Sequence, residues 1–177
     1  MCNLDKIVDR CKKGDRKAGE QLYHMFSAKM FAVCIQYSKS REEAEDNLQD
    51  GFIKVLESIS QYKGKGSFEG WMKRIFINTA LEKFRKNRSV QVVEEVPEVV
   101  DEDDVDDDVN IPPEVLFEFV NQLPEKYRLV FNLYVMEGMQ HKEIAALLGI
   151  SDGTSKSNLA RAKEILKRKI NAYLRDE

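Results

Sequence analysis

Residues 144–163, IAALLGISDGTSKSNLARAK, decide the fold. They read as two short helices joined by a tight turn, the second basic and near the C-terminus. Ile144, Ala145, Leu147 and Leu148 supply a helix-period apolar face. Gly149 is the turn residue, because glycine alone enters a left-handed backbone without steric cost. Ser151 is placed to cap the next helix. In that helix Leu159, Ala162 and Leu166 recur at i, i+3 and i+7. Lys156, Ser157 and Arg161 project away from this stripe, with Asn158 at its edge. This is the layout of a helix-turn-helix whose second helix enters the DNA major groove. A helical hairpin with a solvated basic face is the alternative, and the segment alone leaves both open.

Outward from this motif, 177 residues allow one domain or two small ones, and 42% apolar content suffices for a core. No run approaches a membrane span, so no membrane insertion is expected. The start, MCNLDKIVDRCKKGD, carries no leader-like apolar stretch. Cys2, Cys11 and Cys34 form no C-x-x-C pair, which predicts unpaired thiols in a reducing cytoplasm. Only His24 and His141 are present, so no metal site is expected. No nucleophile–base motif stands out, and neither catalysis nor a cofactor is expected.

The net charge of −3 conceals three blocks. Residues 1–88 carry 18 Lys/Arg against 12 Asp/Glu, 89–114 carry 11 acids and no Lys/Arg, and 115–177 carry 10 against 8. Two mildly basic blocks, each compatible with nucleic acid, thus flank a strongly acidic one. The DEDDVDDD run repels itself, and Pro97, Pro112 and Pro113 break helices. The organisation read from this is a domain over 1–88, an acidic linker over 89–112 and a second domain over 113–177.

Both domains read as helical. In the first, helices are expected around Leu4 to Cys11, from about 16 to 37, from about 41 to 59 and from about 68 to 86. The third carries a stripe of Ala44, Leu48, Phe52, Val55 and Ile59. In the second domain one helix follows Pro113, Pro124 opens another, and the helix-turn-helix completes it.

Three surfaces stand out. On the third helix Asp46, Asp50 and Glu57 lie opposite the apolar stripe, bordered by Gln49 and Ile53. Such a face suits a basic protein partner, or is simply solvated. On the fourth helix Arg74, Asn78, Leu81, Arg85 and Arg88 share a face suited to phosphates and one base edge, with Phe68, Met72, Ile75, Phe76 and Thr79 opposite as core. Trp71 reads as a core anchor. The loop SQYKGKGSF sets Tyr62, Lys63, Gly64 and Lys65 beside that face. A tyrosine and two lysines are able to hold a splayed nucleotide, though a plain turn explains them equally.

Together these segments resemble an extracytoplasmic-function sigma factor of the bacterial sigma-70 superfamily. KKGDRKAGEQLY, AEDNLQDGFIKVLESI and SFEGWMKRIFINTALEKFRK are similar to successive parts of sigma region 2. LPEKYRLVFNLYVMEGMQHKEIAALLGISDGTSKSNLARAK is similar to sigma region 4. The resemblance implies an all-α fold of two small helical domains joined by a flexible linker. It implies core RNA polymerase and promoter DNA as partners, often with an anti-sigma factor. By the same resemblance Asp46, Gln49, Asp50, Phe52 and Ile53 dock on the polymerase. Tyr62, Lys63, Gly64, Lys65, Arg74, Asn78 and Arg85 serve the minus-ten element and its melting. Thr154, Lys156, Ser157, Asn158, Ala160 and Arg161 read the minus-thirty-five element. Ser155 departs from the family's usual valine, and Lys163 from a frequent arginine.

Two other functions fit the residues less completely. One is a helix-turn-helix regulator acting without core polymerase, which predicts tight duplex binding by the protein alone. The other is a helical protein-binding module, which predicts no DNA binding at all.

Overall fold

The computed structural model describes residues 3–88 and 111–175, which are helical with no strand. The chain divides into two compact units, Met1–Lys86 and Asn87–Glu177. The acidic linker expected over 89–112 lies outside the described residues except for Ile111 and Pro112, as does Cys2. Among the described residues no helix is long and apolar enough to cross a membrane.

The first unit is built from α1 (Asn3–Lys12), α2 (Arg16–Tyr37), α3 (Arg41–Ser58) with a 3-10 turn at Ile59–Gln61, and α4 (Phe68–Arg88). Local chemistry sets the breaks. Gly14 takes φ +78° between α1 and α2, and Asp15 caps α2 by accepting from Ala18 N at 3.2 Å. Ser40 caps α3 by accepting from Glu43 N at 3.2 Å, while the Glu43 carboxylate accepts from Lys39 N at 2.6 Å. Leu22, Phe26, Met30 and Val33 of α2, Ala44 and Val55 of α3, and Met72, Phe76 and Leu81 of α4 are all buried and make up the core of this unit.

The α3 stripe departs from the expected one. Leu48 is only half-buried, and Asn47 is fully buried in its stead. Asn47 Nδ2 donates to Ser38 Oγ at 2.8 Å, and Ser38 Oγ donates to Cys34 O at 2.7 Å. A partner from the end of α2 therefore satisfies the donor side of this amide, while Asn47 Oδ1 is buried without a hydrogen bond. Gly51 faces α4: a Cβ there would stand 2.3 Å from the Phe76 ring. Glycine is what lets the two helices approach this closely.

The second unit comprises α5 (Pro113–Asn121), α6 (Glu125–Phe131), a π-type turn (Asn132–Met136), α7 (His141–Leu148) and α8 (Asp152–Tyr173). Pro113 occupies the first helical position, where a missing N–H costs nothing. Gln140 and Glu143 form a reciprocal capping box on α7. Val120, Leu123, Ala162 and Leu166 form a cluster that Phe119, Tyr127, Phe131 and Ile165 flank. Arg128 is buried and donates through Nη1 to Asn121 O at 3.0 Å.

Candidate nucleic-acid interface

The turn between α7 and α8 has the geometry its residues demand. Gly149 sits at φ 66°, ψ 38°. Ser151 Oγ accepts from Thr154 N at 3.0 Å and lies 2.8 Å from Thr154 Oγ1. From this cap α8 runs with Ser155, Asn158, Leu159, Ala162 and Leu166 inward. Asn158 is 5% exposed, which corrects its expected place among the DNA-facing residues. The reason is its spacing: 155, 158, 159, 162 and 166 follow i, i+3, i+4, i+7 and i+11, the buried face of one helix.

Lys156 is exposed and paired with Asp152 at 2.9 Å, and that contact holds the Asp152 carboxyl below its usual range. Arg161 bonds Glu164 at 2.9 Å, and Glu164 also holds Arg168 at 3.1 Å. Ala160 and Thr154 are half-buried, and Ser157 Oγ donates to Thr154 O at 3.1 Å. Ser155 is fully buried, and its Oγ lies 2.9 Å from His141 Nδ1. The His141 ring stacks on Tyr134 with centroids 4.7 Å apart. Burial in this contact lowers the His141 pKa, with the Asp152 charge opposing. A polar pair thus joins α7 to α8.

In the first unit Arg74, Asn78 and Arg85 of α4 are exposed. Leu81, expected on the same face, has no exposure and belongs to the core, and Ile75, expected in the core, is half-buried. The Arg88 side chain lies outside the described residues. Tyr62 is pinned rather than free. Its ring packs 5.1 Å from Phe68 and 5.4 Å from Trp71. Its hydroxyl donates to Gly66 O at 2.8 Å, and its carbonyl accepts from Lys12 Nζ at 3.0 Å. The anchored tyrosine holds up a hairpin-like tip in which Lys63, Gly64 and Lys65 are exposed, Gly64 at φ +73°.

Beside Asn78 a groove of about 450 Å³ lies between α3 and α4, lined by Lys54, Glu57, Gln61, Trp71, Asn78 and Glu82 among others. Lys54 Nζ lies 2.6 Å from Glu82 Oε2 and ties the two helices together. Sequence reading missed this groove, because its lining is assembled from α3, the 3-10 turn and α4.

On α3 Asp46, Gln49 and Ile53 are exposed, Ile53 by 55%. Asp50 is half-buried and paired with Lys83 at 2.9 Å. Phe52 is corrected: at 6% exposure, 4.8 Å from the Tyr23 ring and 5.2 Å from that of Phe76, it belongs to the core. Leu56 was missed. It is 43% exposed and continues the i, i+3, i+7, i+10 row of Asp46, Gln49 and Ile53. The two described thiols, Cys11 and Cys34, are buried, and burial pushes that of Cys34 up to about 12.

Comparison with known proteins agrees with both units. Residues 22–90 match Sigma-70 region 2, and residues 114–166 match Sigma-70, region 4. The chain is 26% identical to the RNA polymerase sigma-H factor of Pseudomonas aeruginosa, over 97% of this chain and 95% of that protein. It is 28% identical to the ECF RNA polymerase sigma-E factor of Haemophilus influenzae, over 95% of each. A solved structure of CnrH in complex with the cytosolic domain of CnrY is similar with a TM-score of 0.49, at 19% identity over 94% of this chain and 96% of that one. With both regions matched in order along nearly the full length of its relatives, the chain belongs to the sigma-70 family, in its extracytoplasmic-function group.

Proposed function

We propose that this RNA polymerase sigma factor divides promoter-specific initiation between its two units in the following way. The α3 face bearing Asp46, Gln49, Asp50 and Ile53, extended by Leu56, docks on core RNA polymerase. Tyr62, Lys63, Gly64 and Lys65, with Arg74, Asn78 and Arg85, hold the unpaired minus-ten strand and aid melting. Thr154, Lys156, Ser157, Ala160 and Arg161 present the minus-thirty-five reading surface. The chain itself carries no catalytic chemistry in this reading, and it works in the cytoplasm with the polymerase. An anti-sigma factor is a further partner implied by the extracytoplasmic-function resemblance.

The observation that carries this reading is the pairing within one chain of a capped helix-turn-helix and a separate unit with a pinned aromatic loop beside exposed Arg74, Asn78 and Arg85. A regulator acting without core polymerase has no use for the second of these. Size-exclusion chromatography with core polymerase tests it. A stoichiometric complex should form without DNA, and it should initiate at defined promoters. Failure to co-elute, with tight palindrome binding by the protein alone, would replace this reading with the regulator.

A further inference from the structure

Apart from the groove beside Asn78, a second one of about 310 Å³ opens between α3 and α4, further along α4 and clear of Trp71 and Asn78. Asp50, Ile53 and Lys54 reach it from α3, and Glu82, Lys83 and Lys86 from α4. Its charges are crossed. Asp50 pairs with Lys83 at 2.9 Å, and Lys54 with Glu82 at 2.6 Å. Each helix therefore contributes an acid and a base, and neither wall has a single sign. Asp50 and Lys83 both still reach solvent. Lys86 is exposed, and Ile53 offers an apolar contact in the same lining.

Read by itself, the α3 face with Asp46 and Asp50 invites a purely basic partner. The groove does not fit one. A surface that covers Asp50 and Ile53 also covers Lys83 and borders Lys86, and a cation desolvated against like charge is costly. An ion pair as exposed as Asp50–Lys83 is weakly held, so it opens to a docked surface that offers each member a partner. We infer that core polymerase docks on a surface shared by α3 and α4, through a segment that carries an acidic side chain for Lys83 as well as a basic one for Asp50, with an apolar residue against Ile53. Lys83 is then a polymerase-binding residue in its own right and not a strut for Asp50. This inference rests on the reading of α3 as the docking face.

The test titrates the full-length protein against core polymerase without DNA. Lys83→Met keeps the aliphatic stem and removes the charge. It should bind about five- to tenfold more weakly, as for loss of one interfacial charge pair, whereas Lys83→Arg should stay within about twofold of wild type. Asp50→Asn should also weaken binding, and adding Lys83→Met to it should bring a further loss of about fivefold, because the two contacts are separate. Thermal transitions followed by Trp71 fluorescence should show each variant folded. A Lys83→Met protein that binds as tightly as wild type, or more tightly, overturns the inference. So does a loss that disappears in the Asp50→Asn background, since Lys83 would then act only through Asp50, and so does an equal loss in Lys83→Arg. Asp46, which lies outside this groove, tests the parent reading separately. If Asp46→Lys loses affinity and Lys83→Met does not, the inference alone falls. If neither loses affinity, the docking face falls with it.

Discussion

Replacing Gly51 with alanine separates the close approach of α3 to α4 from ordinary helix propensity. The added Cβ would meet Phe76 Cε1 at 2.3 Å and Cδ1 at 2.4 Å. That is about 1.2 Å short of normal carbon–carbon contact. Phe76 is 1% exposed and stands edge-to-face against Phe52 at 5.2 Å, so its ring has nowhere to swing. Overpacking of this kind costs about 3 kcal/mol at the upper end of its usual range. Alanine returns about 1 kcal/mol of helix propensity. The net loss is about 2 kcal/mol, or roughly 8–16 °C in the melting temperature of a unit this size. Gly19 is the internal control. There a Cβ would meet Leu56 at 3.6 Å, an ordinary contact, so Gly19→Ala should be neutral or stabilising by up to about 1 kcal/mol. Trp71, the single tryptophan, lies in this unit and reports its unfolding by fluorescence in thermal and urea transitions. If Gly51→Ala stabilises as much as Gly19→Ala, the helices are not packed as described and the reasoning fails.

The remaining predictions concern the functional surfaces. Asp46→Lys should reduce retention of core polymerase in a pull-down with helix content unchanged; it is a cleaner probe than Asp50, which also ties α3 to Lys83, and undiminished retention would remove the docking face. Tyr62→Ala should lose transcription from an intact duplex and recover on a pre-opened template, because the bubble spares the few kcal/mol of base extrusion; equal loss on both templates would move Tyr62 from melting to base reading. Arg161→Ala should cost about 1–3 kcal/mol at one base pair of the minus-thirty-five element, measured with holoenzyme against single-base substitutions. Uniform weakening with a salt slope smaller by about one would instead mark a phosphate contact. The depressed pKa of His141 means that the unfolded chain binds its proton first, near pH 6.5. Its contribution to the second unit is therefore complete above that pH and is lost as pH falls through the folded pKa. The urea midpoint of that unit should drop from pH 7.5 to 5.5 by more in wild type than in His141→Gln, and equal drops would refute the assignment.

Much of the fold was legible because helix ends and turns are chosen by local chemistry. Ser151 capping α8, Gly149 in the left-handed region and the starts of α2 and α3 at Arg16 and Arg41 all involve residues within one turn of each other. The order of the two matched regions was legible for a different reason, since several short segments in fixed succession identify a family more securely than any one alone. Which side chain is inside was only partly legible. Helical period orients a residue about its own axis, but burial requires neighbours on both flanks. Leu81 lies only about 60° from Asn78 and about 40° from Arg85 around the helix, yet it is covered while they are not. Phe52 and Ile53 are adjacent and apolar; helical period already sets Phe52 on the apolar stripe and Ile53 beside the acidic face, and packing against Tyr23 and Phe76 is what rules Phe52 out as part of an exposed docking surface. Asn47 and Asn158 look like surface residues by composition; the first is buried because Ser38, nine positions away, supplies its hydrogen bond. The groove closed by Lys54 and Glu82 lay beyond sequence reading for the same reason. Its partners are 28 residues apart, and no local pattern records that two helices will bring an ammonium and a carboxylate to 2.6 Å.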